Sequence, residues 1–419
     1  MKRFVLVICM TVAVFILFAC GKGNDDPKPY KTQENKKAGA SGGAADVSGG
    51  AAAPGTDMSD SEIFTQAEEL VKNMTLEEKV GQMFLVDLHQ LDPSKKASAK
   101  RYRLTKKMKE TLENYHIGGV CLTEKNVKTE GQTKKLIADI QACASGSVMY
   151  IAAEEEGGRT HSLSSKVKAM QDTGGRTAAQ MVSGMSEQQV YDKGGTIARQ
   201  LKKWGFNLNL APVADIGSER NPAYAARCFG SDTETVSAMV ENMVRGMSDQ
   251  GMAVTLKYFP GIGNVSGDYE ESILDNQDSL MTLRNNNFSV YSEGIEAGAD
   301  CVMVADTAVS RITVNDKLPA FLSKDIVTDL LREELDFEGV IMTPSLNMEA
   351  VTRNYTVEYA VVESVKAGCD LIVMPEDIKK SYDALVDAVV SGRLDEKVIN
   401  TAVRRILQDK IRRGILVSE

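Results

Sequence analysis

Charged and hydroxyl-bearing side chains follow several short apolar runs of this sequence, and their types suit the binding or cleavage of a polar ligand. The candidates are Glu154, Arg227, Lys257, Tyr258, Asp268, Glu270 and Asp306. Carboxyl groups can act as acid, base or nucleophile, whereas Arg and Lys donate hydrogen bonds to ligand oxygens. Any one of these charges could be a solvated loop residue. If these side chains converge on one opening of the fold, together they would suit a neutral, hydroxyl-rich ligand such as a sugar.

The elements that must position these residues are eight short, nearly continuously apolar runs, which are typical of parallel strands covered by helices. The predicted strands are Gly81–Val86, Gly119–Leu122, Val148–Ala153, Phe206–Ala211, Ala253–Leu256, Cys301–Val304, Val340–Thr343 and Leu371–Met374. Amphipathic stretches alternate with them, including Ser186–Trp204, with Ser186 as N-cap, and Ser323–Leu335. The pattern predicts a single-domain α/β fold, a TIM-type (β/α)8 barrel, whose functional residues lie at the carboxyl ends of the strands.

The composition disfavours several other classes of function. The chain has 419 residues, with 49 Lys and Arg against 58 Asp and Glu, giving a net charge of −9. Nucleic acid is therefore not the expected partner, because phosphate binding needs concentrated positive charge. No His follows residue 161, which excludes a His-based metal cluster built from the later residues alone. No dinucleotide fingerprint or P-loop is present, so we expect no cofactor and no metal.

The N-terminal segment predicts export and attachment to a membrane. Residues 1–20 have a basic start, an apolar run and Cys20, and Leu17-Phe18-Ala19-Cys20 resembles the bacterial lipobox, in which the Cys is lipidated. Residues 21–58 have almost no large apolar side chain and predict a disordered linker. We therefore expect a lipoprotein held on the outer face of the bacterial cell membrane by Cys20, with the barrel occupying residues 59–419.

Five ordered motifs in the barrel segment carry a specific resemblance. They are FNLNLAPVAD at 206–215, the segment 221–230, KYFPGIG at 257–263, LPAFLS at 318–323 and LDFEG at 335–339. With these motifs, the sequence from about residue 75 onward resembles the β-N-acetylhexosaminidases of glycoside hydrolase family 3. The resemblance implies a site for a terminal sugar of the N-acetylglucosamine type, such as the end of a cell-wall fragment or glycan.

The resemblance also implies roles for individual residues, several of which depart from the family. A sugar-gripping Asp of the family corresponds to Glu154, and an Arg a little further on corresponds to Ser162. Arg227 and Lys257 match a cationic pair that would donate to sugar hydroxyls or to the N-acetyl carbonyl. Tyr258 replaces the His beside that Lys, and it can still form hydrogen bonds but cannot titrate near neutrality.

The catalytic motifs depart furthest from the family pattern. The family's Asp-Ser-His acid/base dyad becomes Asp268-Tyr269-Glu270, in which Glu270 could act as a general acid if it were buried. The family's nucleophilic Asp corresponds to Pro344. A retaining glycosidase needs two carboxyl groups about 5–5.5 Å apart, one of which attacks the sugar. Proline offers no such group.

Three hypotheses follow. The first is a membrane-anchored family member that binds N-acetylglucosamine-type sugars with weak or lost hydrolysis, because Pro344 replaces the nucleophile. The second is an active exo-glycosidase that uses rearranged carboxylates, such as Glu154 or Asp306 facing Glu270. The third is an envelope scaffold that binds no sugar. We favour the first.

Overall fold

The computed structural model describes residues 58–94, 96, 98–144, 147–158, 163–173, 175–313 and 318–416. The predicted signal peptide, Cys20, the predicted linker up to residue 57 and Ser162 lie outside the described residues. The predicted domain boundaries therefore stay predictions.

Eight parallel strands close into one barrel in sequence order, and β8 pairs with β1 through the partners Phe84 and Ile372. The strands are β1 Phe84–Asp87, β2 Gly119–Cys121, β3 Tyr150–Ala153, β4 Leu208–Asn209, β5 Ala253–Phe259, β6 Cys301–Val304, β7 Val340–Ser345 and β8 Leu371–Val373. Their side chains are almost entirely buried, as expected for strands enclosed by helices. The predicted (β/α)8 barrel is confirmed.

Several strand bounds differ from the predicted ones. Gly81, predicted in β1, belongs to the preceding helix, where Thr75 and Glu78 form a capping box. β4 is reduced to two residues. β5 and β7 each continue further than predicted, so that Lys257 and Pro344 lie within strands and not after them.

Helices surround the barrel. The α-helices are α1 Asp60–Asn73, α2 Leu76–Gln82, α3 Lys106–Asn114, α4 Glu130–Gln141, α5 Leu163–Lys166, α6 Ala178–Val182, α7 Glu187–Trp204, α8 Pro222–Ala225, α9 Thr233–Ser248, α10 Leu280–Asn285, α11 Asn287–Glu296, α12 Glu349–Thr352, α13 Val357–Ala367, α14 Ile378–Val390 and α15 Glu396–Arg412. Two 3₁₀ segments, Lys168–Thr173 and Ala320–Leu322, and a π-helix, Asp325–Glu334, complete the described elements.

The two helices predicted from the sequence are both present. Ser186 caps α7 in a capping box with Gln189, and Gly205 ends that helix in the left-handed conformation at φ 99°. The stretch predicted at Ser323–Leu335 is wound as the π-helix. None of the described helices is long and apolar enough to cross a membrane.

The amino-terminal end of the barrel is sealed by α15. Lys410 is fully buried there, and its Nζ donates to Gln82 Oε1 at 3.0 Å and to the Gly118 carbonyl at 3.1 Å. Its ammonium lies 4.9 Å from the ring centroid of Tyr150. Burial lowers the pKa of Lys410 to about 7, because the charged form has lost its water.

Candidate functional site

Lys257 lies at the centre of the candidate site. Its side chain is wholly buried near the carboxyl end of β5, and its Nζ contacts Glu154 Oε1 at 2.9 Å and Glu156 Oε1 at 3.1 Å. Burial is the largest single influence and acts to lower the pKa of Lys257, but the negative charges around it, Glu154 first and then Glu156, together raise it. Lys257 is therefore held charged between two glutamates that follow β3.

Arg227 extends this network from the loop after β4. Its Nε and Nη2 bind the two carboxylate oxygens of Glu156 at 3.0 and 2.7 Å, which is the bidentate geometry of a strong pair. Both side chains are nearly inaccessible to solvent. Burial opposes the charge of Arg227, but Glu156 holds its pKa well above the usual value. Two cations and two carboxylates thus compensate each other at the barrel mouth.

Two tyrosine hydroxyls accept further hydrogen bonds from the guanidinium of Arg227. Arg227 Nη2 donates to Tyr258 Oη at 2.8 Å, and Nη1 donates to the hydroxyl of Tyr269. The rings of Tyr258 and Tyr269 lie 5.8 Å apart between centroids, and Tyr224 packs against both. Three buried aromatic rings therefore form one wall around Arg227.

The side chains of the predicted acid/base loop, Asp268-Tyr269-Glu270, differ in their exposure to solvent. The side chains of Asp268 and Glu270 are exposed, whereas Tyr269 between them is buried. Asp268 Oδ1 accepts the backbone N–H of Glu270 at 2.9 Å, which fixes the turn. Glu270 therefore lacks the burial that would raise its pKa for the role of general acid, and the loop places a tyrosine in the site instead.

Asp306 is a buried carboxyl group at this end of the barrel. It follows β6 with 1% of its surface exposed, and its Oδ2 has no hydrogen-bond partner among the described residues. Burial raises the pKa of Asp306 to about 7, and the charges of Glu270 and Asp268 act in the same direction. Near neutral pH this group can hold or release a proton.

Pro344 is buried within β7, directly before the strand ends at Ser345. The neighbouring Thr343 Oγ1 donates to the Pro344 carbonyl at 2.8 Å and accepts the backbone N–H of Val373 at 3.0 Å. The hydroxyl of Ser345 lies 3.6 Å from the sulfur of Met374. Neither Pro344 nor its neighbours in β7 offer a carboxylate at this point.

The structure brings together most of the predicted site residues and adds two. Glu154, Arg227, Lys257 and Tyr258 form one network with Glu156 and Tyr269, neither of which was a predicted site residue. The position of Glu156 in the Glu154-Glu155-Glu156 run could have predicted its place in the site, since alternate residues near a strand end point to the same side as each other, here Glu154 and Glu156. The sequence indicated Tyr269 less strongly, only as an aromatic residue between two acids.

Other carboxylates near the site have structural roles. Asp215, fully buried after β4, accepts from the Tyr224 hydroxyl at 2.8 Å and from the Asn287 amide at 2.7 Å. Glu155 accepts the backbone N–H groups of Gly157 and Ser164 at 3.0 and 2.7 Å. Among the described residues, no group of three or more His, Cys, Asp or Glu is arranged to hold a metal ion.

Comparisons with known proteins agree with this architecture. Residues 75–408 match the model of the glycosyl hydrolase family 3 N terminal domain. The chain is 32% identical over 289 residues to the beta-hexosaminidase of Stenotrophomonas maltophilia (strain R551-3), covering 67% of this chain and 84% of that protein.

Solved structures give the same result. A glycoside hydrolase family 3 beta-N-acetylglucosaminidase from Paenibacillus sp. superposes with a TM-score of 0.74 at 30% identity, over 83% of this chain and 64% of that one. The M. tuberculosis protein LpqI superposes with a TM-score of 0.69 at 25% identity, over 81% of this chain and 95% of that one. This chain therefore belongs to glycoside hydrolase family 3 and is β-N-acetylhexosaminidase-like.

Proposed function

We propose that this protein binds a terminal N-acetylglucosamine-type sugar at the barrel mouth and hydrolyses it weakly or not at all. The observation that carries the proposal is Pro344 in β7, at the position of the family's nucleophile. An acid without a nucleophile cannot form the covalent intermediate of a retaining glycosidase. The ligand class comes from the family and from the hydrogen-bonding groups that remain.

The network around Lys257 supports sugar recognition. It combines ammonium and guanidinium donors, carboxylate acceptors and tyrosine hydroxyls, and a sugar hydroxyl can both donate and accept. Of the two glutamates that contact Lys257, Glu154 has the more exposed side chain, at 39%, so its carboxylate is the acceptor nearer to solvent. Because the charges are already compensated, the site favours a neutral ligand over an ion.

The first test measures binding and turnover on the same preparation. We expect N-acetylglucosamine to bind in calorimetry, and a chromogenic β-N-acetylglucosaminide to be hydrolysed far more slowly than by ordinary enzymes, which turn over roughly 1–10³ times per second. A Lys257→Met variant should lose the binding. Turnover in the ordinary range would overturn the loss of hydrolysis. Absence of binding, with an envelope protein co-purifying, would favour the scaffold hypothesis.

A second candidate, residual hydrolysis, is favoured by Asp306. A buried carboxyl group that titrates near neutrality is a suitable general acid, and some hexosaminidases need only one acid and one stabilising carboxylate because the substrate's acetamido group attacks. In that case a slow turnover should fall at least about tenfold in Asp306→Asn, with sugar binding retained. An unchanged slow rate in that variant would exclude Asp306 as the acid.

The lipid anchor belongs to the same proposal. The lipobox-like segment ending at Cys20 supports attachment to the outer face of the cell membrane. In cells, we expect a fatty-acid label to be incorporated into the wild-type protein and not into Cys20→Ala. Labelling that persists in the variant would rule out Cys20 as the lipidated residue.

A further inference from the structure

One segment of the chain concentrates positive charge against the overall balance. Residues 95–109 contain eight Lys and Arg residues and no Asp or Glu, although the whole chain has a net charge of −9. The described part of this segment forms the end of the connection from β1 to α3 and the first turn of α3, which begins at Lys106. It therefore lies at the carboxyl end of the barrel, on the rim beside β1 and β2.

Five exposed cations lie on this rim, and we call them the basic surface: Lys100, Arg103, Lys106, Lys109 and Lys128. Lys128 comes from the connection after β2, and its Nζ lies 5.8 Å from the ring centroid of Tyr102. Two hydrogen bonds join the two connections, from the Arg101 backbone N–H to the Lys125 carbonyl at 2.8 Å and from the Gln132 amide to the Tyr102 carbonyl at 2.9 Å. Lys128 is therefore held beside the basic segment.

The basic surface keeps an excess of positive charge when every carboxylate of α3 is counted as charged. Those carboxylates are Glu110 and Glu113, so five cations stand against two anions. Lys106 pairs with Glu110 at 3.6 Å, but both side chains are largely exposed, and such a pair contributes little to stability. Lys96 and Lys107 are also exposed, but they line a cleft together with three carboxylates, so their charge is balanced there.

The other nearby carboxylates each have a cation of their own. Asp92 is buried behind the basic surface with Arg101, whose guanidinium donates to the Asp92 carbonyl at 3.0 Å. Glu124, in the connection that carries Lys128, pairs with Lys166 at 3.7 Å. These groups therefore leave the excess of about three positive charges on the basic surface unchanged.

The predicted anchor gives this exposed positive charge a partner within reach. A flexible linker of about 38 residues, such as the one predicted at 21–58, has an end-to-end distance of roughly 30–37 Å. An anchor at Cys20 would thus hold the barrel near the lipid without selecting which face meets it. Anionic headgroups attract each nearby Lys or Arg by about 1 kcal/mol. Because the anchor already supplies a high local concentration, a few such attractions are enough to favour one orientation.

We propose that the basic surface docks the barrel onto the anionic headgroups of the bilayer to which the chain is anchored. The proposal rests on the proposed lipid anchor for the presence of a membrane, and it is independent of sugar binding. Docking of this kind turns the carboxyl end of the barrel, which holds the Lys257 network, toward the lipid at the side of β1 and β2.

The experiment mixes the full chain with vesicles of phosphatidylcholine alone or of phosphatidylcholine with phosphatidylglycerol. Acetylation of lysines, followed residue by residue by mass spectrometry, measures which of them are shielded. At low ionic strength, we expect Lys106 and Lys109 to react at least about threefold more slowly on the anionic vesicles than on the neutral ones. Lys72 and Lys397, exposed on α1 and α15, should react equally on both. High salt should remove the difference.

A charge variant tests whether the basic surface causes the shielding. Arg103→Gln/Lys128→Gln removes two of its charges and keeps Lys106 and Lys109 as reporters, and we expect their shielding to fall by about half or more. The matched control, Lys72→Gln/Lys397→Gln, removes the same charge from the outer helices and should behave as the wild type does. Equal shielding in the two variants would show that the positive charge of the basic surface does not direct docking.

The remaining outcomes separate docking from the anchor and from other polyanions. Equal reactivity of Lys106 and Lys109 on both kinds of vesicle would overturn the proposal. Shielding by soluble polyphosphate without shielding on anionic vesicles would also overturn it, because the partner would then not be a bilayer. A chain that floats only with the anionic vesicles would count against the anchor and support docking, whereas flotation with neither would overturn both.

Discussion

The guanidinium of Arg227 donates a hydrogen bond to the hydroxyl of Tyr269, which belongs to the acid/base loop. The family resemblance assigns Arg227 to the sugar, so Tyr269 uses a donor that the sugar would otherwise bind. Two further edges of the same guanidinium are taken by Glu156 and Tyr258. In this arrangement, a sugar must displace a tyrosine hydroxyl before it can use Arg227.

This relationship predicts that Tyr269→Phe binds N-acetylglucosamine more tightly. Removing the hydroxyl frees a donor of Arg227 for the ligand, and we expect the affinity to rise by roughly threefold to tenfold, as one charged hydrogen bond allows. The same change should lower the free energy of unfolding by about 1–3 kcal/mol. Calorimetry and denaturant unfolding measure the two effects.

The matched control is Tyr191→Phe, which removes a hydroxyl that binds Asp249 at 2.8 Å on an outer helix. It should change neither sugar affinity nor stability by much. Equal or weaker sugar binding by Tyr269→Phe would show that its hydroxyl does not compete with the ligand.

Glu156 is predicted to be the most important acid for stability at the site. Glu156→Gln leaves Arg227 without a carboxylate and Lys257 with Glu154 alone, and removing one partner of a buried ion pair costs roughly 3–5 kcal/mol. Glu334→Gln breaks the exposed bidentate pair with Arg284 and should cost under about 1 kcal/mol. Similar costs for the two variants in denaturant unfolding would contradict the central role of Glu156.

Restoring a carboxylate to β7 tests the explanation for lost hydrolysis. In Pro344→Asp, a substrate with a dinitrophenolate leaving group, which needs little acid assistance, should give a burst of aglycone and a covalent sugar adduct visible by mass spectrometry. Ser345→Asp places the same group one residue further along β7 and serves as control. If a folded Pro344→Asp protein forms no adduct, the site lacks more than its nucleophile.

The raised pKa of Asp306 predicts that the stability of the protein depends on pH. Its pKa is about 7 in the folded protein against 3.8 ordinarily, so between those values the native state binds the proton more tightly than the unfolded chain does. The contribution of Asp306 is therefore full below about pH 4 and is lost as the pH rises to about 7, by at most roughly 4 kcal/mol.

Unfolding free energies measured across this range should fall less steeply with rising pH in Asp306→Asn than in the wild type. The exposed Asp387→Asn of α14 provides the control and should follow the wild-type curve. A variant slope equal to that of the wild type would mean that Asp306 is ionised throughout.

The fold could be predicted because apolar strand runs and helix caps are local signals. Ser186 and its capping box are an example, since both partners lie within one turn of α7. The start of β1 could not be predicted in the same way. A Cβ on Gly81 would lie 2.2 Å from the carbonyl oxygen of Tyr115, so the requirement for glycine arises from a residue distant in sequence.

Some members of the candidate site were predictable from the sequence, but their pairing was not. The family motifs identified Arg227 and Lys257, but their compensation by Glu156 depends on how three strand ends approach one another. The direction of the Asp268-Tyr269-Glu270 turn was also beyond sequence reasoning. A loop that exposes both acids and buries the tyrosine is determined by packing against Tyr224 and Tyr258.

The closure of β8 onto β1 and the packing of α15 against α1 have a consequence for biosynthesis. Segments more than 280 residues apart in the chain complete the same wall, so a nascent polypeptide has no closed barrel until β8 has emerged. Until then, the apolar strands remain open to proteases and chaperones. A ribosome stalled before residue 371 should therefore yield a chain that is readily digested.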